Sequence, residues 1–263
     1  MKTMLGLVES DTNKLLTIAK AHTLSQQQSA SNADRAIEFL TALTDKNLGL
    51  FKKHLVKTVK KRKQPEELDA DTLVAKFLVT SFGDETLAKA FVKLGDADGL
   101  LAASKVRSMV FRKWAAEGKK LKDIIPLLKV TDDVEIFEPQ VTNFLLKFGK
   151  ETEGPDFLIS DVNEAMLRHW GGNYARYISG ILRWEAKQGG AAKFTAGSRY
   201  HWALSDLTQY PTSPDSLVNN LKIIQGQHSY LRDGEYLHLT DDQLKKVGED
   251  YAHVLKLVSG DPV

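Results

Sequence analysis

Apolar residues recur three or four positions apart along most of this chain, and they almost never alternate with polar residues. The first spacing places apolar side chains on one face of an α-helix, whereas alternation is typical of a half-exposed strand. The longest such stretch runs from Leu73 to Phe148, and within it Val106, Val110 and Trp114 share one face. We therefore predict an all-α fold in which a bundle of short helices gathers around Trp114.

The composition is that of a globular protein and excludes several classes of function. Hydrophobic residues make up 42% of the 263 positions and charged residues 27%, which is enough apolar material for one large core or two smaller ones. No cysteine is present, so disulfides, thiol nucleophiles and thiolate metal ligands are excluded. No apolar run approaches the roughly 18 residues that cross a bilayer, and we expect no membrane partner.

The residue types that catalyse reactions in enzymes do not occur in this sequence at the spacing of a common catalytic or cofactor-binding motif. None of the seven histidines has His-Glu-x-x-His spacing, and there is no Gly-x-Ser-x-Gly elbow. Gly149-Lys150-Glu151 lacks the hydroxyl residue of a phosphate-binding loop, and Asp96-Ala97-Asp98-Gly99 lacks the later ligands of a calcium loop. We expect a protein that is not an enzyme and that needs no cofactor or metal.

Helix breakers divide the chain into three regions. Pro65 ends a helical pattern, and Gly154-Pro155 is the clearest breaker pair in the sequence. We predict an N-terminal helical region at 1–65, a central helical module at 66–153 and a C-terminal helical region at 154–263. The first 21 residues have only a weak helical pattern, and the C-terminal region is either a diverged copy of the module or an unrelated addition.

Capping signals indicate where several helices begin. Gly83 and Asp84 predict the end of one helix and the N-cap of the next. Ser213-Pro214 combines a capping hydroxyl with proline at the first helical position. Thr240-Asp-Asp-Gln243 has the pattern of a capping box before the last helix.

Basic residues concentrate between Lys52 and Lys63, a segment with seven Lys and Arg residues and no acidic residue, although the net charge of the chain is only +2. The tetrad Lys60, Lys61, Arg62 and Lys63, with Lys57 one turn earlier, has the form of a short nuclear localisation signal that an import receptor binds. Two other interpretations remain: a solvated helix end whose charges complement the helix dipole, and contact with nucleic-acid phosphates.

Aromatic and arginine residues alternate in the C-terminal region. The group comprises Arg168, Trp170, Tyr174, Arg176, Tyr177 and Arg183, with Trp184 directly after it. One interpretation is a second hydrophobic core. The other is an exposed docking surface for a protein partner, because aromatic and arginine side chains supply most interface hot spots.

Three segments of the central module resemble the WY-domain module of oomycete RXLR effectors, which filamentous plant pathogens secrete into host cells. They are Phe82-Gly-Asp-Glu-Thr-Leu-Ala-Lys, then Val110-Phe-Arg-Lys-Trp-Ala-Ala-Glu-Gly-Lys-Lys with Ile124 and Leu127-Leu-Lys-Val, and finally Val141-Thr-Asn-Phe-Leu-Leu-Lys-Phe. In that family a tryptophan and a later tyrosine on neighbouring helices pack together in the module core.

The resemblance assigns roles to individual residues. Trp114 takes the tryptophan position and Phe148 takes the tyrosine position, which keeps the ring and loses the hydroxyl. Phe82, Leu87, Ile124 and Phe144 complete the implied core. Neither the RXLR signature nor the acidic motif that follows it is present, and the start of the chain has too short an apolar run for a signal peptide. We therefore expect the mature effector region without its secretion leader.

The resemblance also implies a function. It implies an all-α bundle built on one WY-like module with additional N- and C-terminal helices, acting as a virulence effector that binds host plant proteins and suppresses immunity. With the basic tetrad, it points to the host nucleus and to suppression of RNA silencing through a nuclear RNA-processing factor. Two alternatives stay open: a helical protein that binds nucleic acid directly, and a scaffold that recruits a host enzyme.

Overall fold

A computed structural model of the chain describes residues 32–61, 69–95, 101–129, 135–188, 193–227 and 239–260. Within these ranges every regular element is a helix and no strand occurs, which confirms the predicted all-α class. The first 21 residues, which have a weak helical pattern in the sequence, lie outside the described residues, and so do Arg62 and Lys63. Lys60 and Lys61 have a described backbone, but their side chains lie outside the description.

The described helices form two compact units. Unit 1 comprises the described residues up to Lys129 together with Asn143–Phe157, and unit 2 comprises those of Val130–Thr142 and from Leu158 onward. Unit 1 contains α1 (Asn32–Thr41), α2 (Asp45–Lys61), α3 (Ala70–Phe82), α4 (Asp84–Leu94), α5 (Leu101–Ala116), α6 (Leu121–Ile124), a 3₁₀ turn (Ile125–Leu128) and most of α7 (Pro139–Glu153).

Unit 2 is built from the later helices. Its elements are a 3₁₀ turn (Glu135–Phe137), the first residues of α7, α8 (Ile159–His169), α9 (Tyr174–Lys187), α10 (Lys193–Leu207), α11 (Pro214–Gln227) and α12 (Asp241–Ser259). Helix α9 packs against α10 and α11, and α12 packs against α10 and α11. Its buried side chains include Phe137, Tyr177, Trp184, Leu204 and Tyr251.

Helix starts in unit 2 follow the capping signals in the sequence. The Ser213 hydroxyl accepts a hydrogen bond from the Ser216 amide at 3.1 Å, with Pro214 at the first helical position. Thr240 and Gln243 form a reciprocal capping box, in which each side chain accepts from the backbone amide of the other. Both predicted starts are confirmed.

In unit 1 the N-terminal helices and the central module share one core. Helix α1 packs against α4, α2 packs against α3, and α3 packs against α5. Phe39 and Phe51 from the first two helices are fully buried, and the Phe39 ring lies 5.7 Å from the Phe82 ring of α3. The described parts of the predicted regions 1–65 and 66–153 therefore belong to one compact unit, except for residues 135–142, which belong to unit 2.

Unit 1 ends close to the predicted breaker pair Gly154-Pro155. Gly154 has a φ of 115°, and the chain then brings the Phe157 ring against Gly149 of α7. A Cβ atom at position 149 would lie 2.1 Å from that ring, so only glycine permits this approach. None of the helices in the described ranges is long and apolar enough to span a membrane.

Candidate functional site

Trp114 lies at the centre of the unit 1 core. Its side chain is fully buried, and its ring stacks on Phe111 at 5.8 Å and tilts against Phe148 at 6.2 Å. The six residues expected in this core are all buried: Trp114, Phe148, Phe82, Leu87, Ile124 and Phe144. A fully buried side chain at the intersection of several rings supports the fold and offers no surface to a partner.

Asp84 satisfies the only polar atom of that tryptophan. The indole Nε1 donates to Asp84 Oδ1 at 2.7 Å, and Asp84 Oδ2 pairs with Lys119 Nζ at 3.0 Å. Burial lowers the pKa of Lys119, but its hydrogen bonds to Glu117 and Asp84 outweigh burial and raise that pKa above its usual value. The network joins the first two of the three segments that carry the WY-module resemblance, and the ring contact between Trp114 and Phe148 adds the third.

The role of Asp84 differs from the sequence-based expectation. Gly83, with a φ of 79°, occupies the N-cap position of α4, and Asp84 stands in the first helical turn. Its carboxylate faces Trp114, which is 30 positions away in sequence. No local pattern could reveal this contact, because the capping signal and the indole partner both call for an acidic residue at this position.

Helix α2 carries the described part of the basic segment. Leu48 and Phe51 lie in the core, while Lys53 and Lys57 are exposed on the other side of the helix. Lys52 is only partly exposed and pairs with Asp71. Of the five residues predicted as a nuclear signal, only Lys57 has a side chain that the structure describes, and that side chain is exposed to solvent.

The predicted aromatic and arginine surface divides between core and exterior. Tyr177 and Arg183 are buried, as Trp184 is, so these residues belong to the second core. This burial follows from the position of α9, which buries nine of its 14 residues, so that polar side chains such as Arg183 turn inward together with the apolar ones. A docking surface that includes Tyr177 and Arg183 is therefore not present in this structure.

The rest of that group lies nearer the surface. Arg168 is exposed, Trp170 and Arg176 are partly exposed, and the Arg176 guanidinium lies 5.8 Å from the centroid of the Trp170 ring. Tyr174 is buried at the edge of a groove. Of the expected surface, only Arg168, Trp170 and Arg176 are at least partly exposed, and Arg168 and Tyr174 line the groove.

This groove in unit 2 has a volume of about 710 Å³, which is within the usual range of about 300–1,000 Å³ for small-molecule pockets. It lies between the end of α8, the start of α9, the end of α10 and one face of α11. Its lining is Glu164, Leu167, Arg168, Gly171, Gly172, Asn173, Tyr174, Ala175, Asp206, Leu207, Tyr210, Thr212, Leu217, Asn220, Ile223, Ile224 and Gln227.

The turn between α8 and α9 opens one side of the groove. Gly171 and Gly172 have φ values of 66° and 78°, a left-handed conformation in which a side chain would be strained. Asn173 then caps α9 by accepting from the Arg176 amide at 2.9 Å. The result is a short connection whose residues 171–173 are exposed to solvent, whereas the first residues of α9 are buried.

Polar groups in the groove centre on Asp206. Its carboxylate accepts from the Tyr174 hydroxyl, and its Oδ1 accepts from Gln209 Nε2 at 3.0 Å. Burial, and then the hydrogen bond to Asp206, raise the pKa of Tyr174 far above its usual value. Tyr174 therefore remains a neutral donor. The Arg168 guanidinium pairs with Glu164 one turn earlier on α8.

Two large apolar side chains stand exposed on the rim of the groove. Tyr210 is 54% exposed and Ile223 is 57% exposed, and the Tyr210 ring lies 5.5 Å from the Tyr174 ring. Exposed apolar groups beside a concave surface are typical of interaction sites. Sequence reasoning missed Asp206, Tyr210 and Ile223, because they come from separate elements and no motif joins them.

The groove has no described arrangement of metal ligands, and the same holds for the remainder of the described ranges, where no three His, Asp or Glu side chains are grouped. Comparison of the sequence with protein-family models and with curated proteins finds no match. Function must therefore be inferred from the residues and their geometry.

Proposed function

We propose that this protein is a virulence effector of a filamentous plant pathogen that binds host plant proteins and suppresses immunity, without catalysing a reaction. The proposal starts from the WY-module resemblance of three sequence segments. One observation supports it most directly: those segments meet in a single buried cluster, in which Trp114 contacts both Phe148 and Asp84. A shared core is what a resemblance at the level of a folding module requires.

In this proposal the two units have different tasks. The Trp114 cluster of unit 1 supports the fold, while the groove of unit 2 supplies exposed apolar groups and hydrogen-bonding atoms for a partner. The effector then acts by occupying or misplacing a host factor. A host enzyme recruited to the groove would be one form of the same mechanism.

We further propose that the effector acts in the host nucleus, on a protein of small-RNA processing, and thereby suppresses RNA silencing. Lys57, Lys60, Lys61, Arg62 and Lys63 would bind the import receptor. What supports this part is the density of cations at the end of α2, together with the solvent exposure of Lys57.

The test is imaging in plant cells of a fluorescent fusion too large to diffuse through nuclear pores. Changing Lys60, Lys61, Arg62 and Lys63 to alanine is expected to exclude the fusion from the nucleus and to restore silencing of a reporter gene. The control replaces Lys245 and Lys246, two exposed lysines of α12, by alanine. Equal nuclear accumulation and equal reporter silencing in all three proteins would refute the nuclear proposal.

The exposed lysines of α2 also favour a second candidate function, direct binding of RNA or DNA. Lys53 and Lys57 stand in solvent on one side of the helix, where each could neutralise one phosphate. Affinity for nucleic acid would then fall steeply with salt. A gel-shift series at two salt concentrations distinguishes the candidates, because complete absence of binding at low salt excludes this one.

A further inference from the structure

We infer that the unit 2 groove binds a protein segment that presents a lysine or arginine beside a large apolar side chain. This inference rests on the proposed function and deepens it, because it gives the chemistry of the partner. Three features of the groove lead to it: an acidic group that has no cationic partner among the described residues, an exposed apolar rim, and the length of the α11 wall.

Asp206 is the acidic group. Its hydrogen-bond partners in the described residues, Tyr174 and Gln209, are both neutral donors, and none of the ion pairs between described residues includes its carboxylate. The one basic residue of the lining, Arg168, is already paired with Glu164. Within the described part of unit 2, the lining thus retains one uncompensated negative charge, which a cationic side chain would meet with a charge-assisted hydrogen bond.

The apolar rim explains why the cation should belong to a protein segment and not to a small ion. Tyr210 and Ile223 are exposed on the rim, and Leu207, Leu217 and Ile224 lie beneath them. An apolar side chain placed between them would remove this surface from water. Charge selects the partner, and the aromatic and aliphatic contacts stabilise the complex.

The wall of the groove sets the length of the segment. Helix α11 contributes residues from Leu217 to Gln227, a stretch of about 15 Å at the helical rise of about 1.5 Å per residue. Their spacing of three and four positions places them along one face of α11. A helix of about ten residues, lying along α11, matches this length.

The test is selection of displayed random peptides of about ten residues, matched to this wall, on the immobilised full-length chain. Selected peptides are then titrated by fluorescence anisotropy against the wild type and four variants. We expect the peptides to share a Lys or Arg next to a large apolar residue. Ile223→Ser should weaken their binding about tenfold, and Asp206→Asn about fivefold.

Two matched controls separate the groove from general surface effects. Leu257→Ser removes an apolar side chain that is also 57% exposed but lies on α12, outside the lining. Asp215→Asn removes an exposed carboxylate of α11 that does not line the groove. Both controls should leave affinity within about twofold of the wild type, since neither side chain would contact the peptide.

Several results would overturn the inference. One is that no selected peptide depends on Ile223 for its binding, and another is that the selected peptides lack a basic residue. A third is that spermine, a cation without an apolar side chain, binds as tightly as the peptides and loses as much affinity in Asp206→Asn. Dimerisation of the chain that Ile223→Ser abolishes would instead identify a second copy as the occupant. These measurements use purified protein, so they test the groove independently of the plant assays of nuclear import and silencing. Either proposal can therefore be refuted while the other stands.

Discussion

Unit 1 and unit 2 each bury a tryptophan, but the two indole N–H groups have different surroundings. Trp114 in unit 1 donates to Asp84 at 2.7 Å. Trp184 in unit 2 is 2% exposed, and its Nε1 has no acceptor among the described residues. The Tyr177 hydroxyl and the Ser179 hydroxyl are buried in unit 2 in the same way, without a partner in the part of the chain that the structure describes.

The difference predicts that unit 1 has the more stable interior. A buried polar atom without a partner costs about 1–3 kcal/mol, because it loses its hydrogen bond to water and gains none. Unit 1 is then suited to be the scaffold, and unit 2 is the unit expected to open more readily. Four experiments test this difference between the units, in order of decreasing change in stability.

The largest effect is expected from Trp114→Ala. Removal of the fully buried indole leaves a cavity, and unfolding of unit 1 should become easier by about 3–5 kcal/mol. Trp184→Ala should cost about 1–3 kcal/mol less than that, because it also removes an unpaired N–H. Hydrogen exchange followed by mass spectrometry reads each unit separately. Equal losses of protection would contradict the comparison.

Asp84→Ala makes the polar surroundings of Trp114 resemble those of Trp184. The indole N–H loses its acceptor and Lys119 loses one ionic partner, so we expect unit 1 to lose about 2 kcal/mol. Asp84→Asn keeps an acceptor oxygen and should cost less. Chemical denaturation monitored by the fluorescence of Trp114, with the three other tryptophans replaced by phenylalanine, measures both variants. Equal cost for the two would show that the hydrogen bond contributes little.

Two tyrosines of unit 2 test the cost of an unpaired group within one core. The Tyr251 hydroxyl donates to the Leu207 carbonyl at 3.3 Å, whereas the Tyr177 hydroxyl has no partner among described residues. Tyr251→Phe should destabilise unit 2 by about 1 kcal/mol, and Tyr177→Phe should leave it unchanged or stabilise it by up to about 1 kcal/mol. Thermal unfolding of both variants measures these two changes in stability. The opposite order would indicate that Tyr177 has a partner.

The smallest effect is the acid sensitivity of unit 1. Hydrogen bonds, from the Thr72 hydroxyl to Asp69 and from Lys129 to Glu85, lower the pKa of each carboxyl. A lowered folded-state pKa stabilises the protein above the ordinary value, 4.5 for Glu85, and this contribution is lost as the pH falls through the folded value. The effect is small because both groups are largely hydrated.

This pH dependence is measured by hydrogen exchange in unit 1 at pH 6 and below about pH 4. We expect Glu85→Gln to reduce the difference between the two conditions, and Glu164→Gln in unit 2 to leave the protection of unit 1 unchanged. If Glu85→Gln has no effect on the acid response of unit 1, its ion pairs with Lys89 and Lys129 do not contribute to stability.

Local patterns predicted the helices well because helix formation depends on spacing and caps. Thr240 marks a helix start through its contact with the residue three positions later. Pro214 marks another through its own ring, which fits the first helical position. Long-range contacts had no such signal. Asp84 meets Trp114 across 30 positions, and Asp206 meets Tyr174 across 32, so neither the indole acceptor nor the groove could be read from a window of sequence.

The aromatic and arginine group shows the limit of composition as a guide to surfaces. Trp170, Tyr177 and Arg183 are of the residue types that supply hot spots, yet Tyr177 and Arg183 are buried. Exposure depends on which face of α9 the other helices cover, and that is a property of the packing. The same packing leaves Ile223, an ordinary residue in sequence, exposed beside the groove.

The claim that unit 2 contains the partner-binding groove is tested most directly by affinity purification from plant extract. Wild type, Ile223→Ser and Leu257→Ser are compared by quantitative mass spectrometry, since the two replaced side chains are equally exposed and only the first lines the groove. We expect host proteins that Leu257→Ser recovers as the wild type does and that Ile223→Ser loses. Equal recovery of every host protein by all three would contradict the claim.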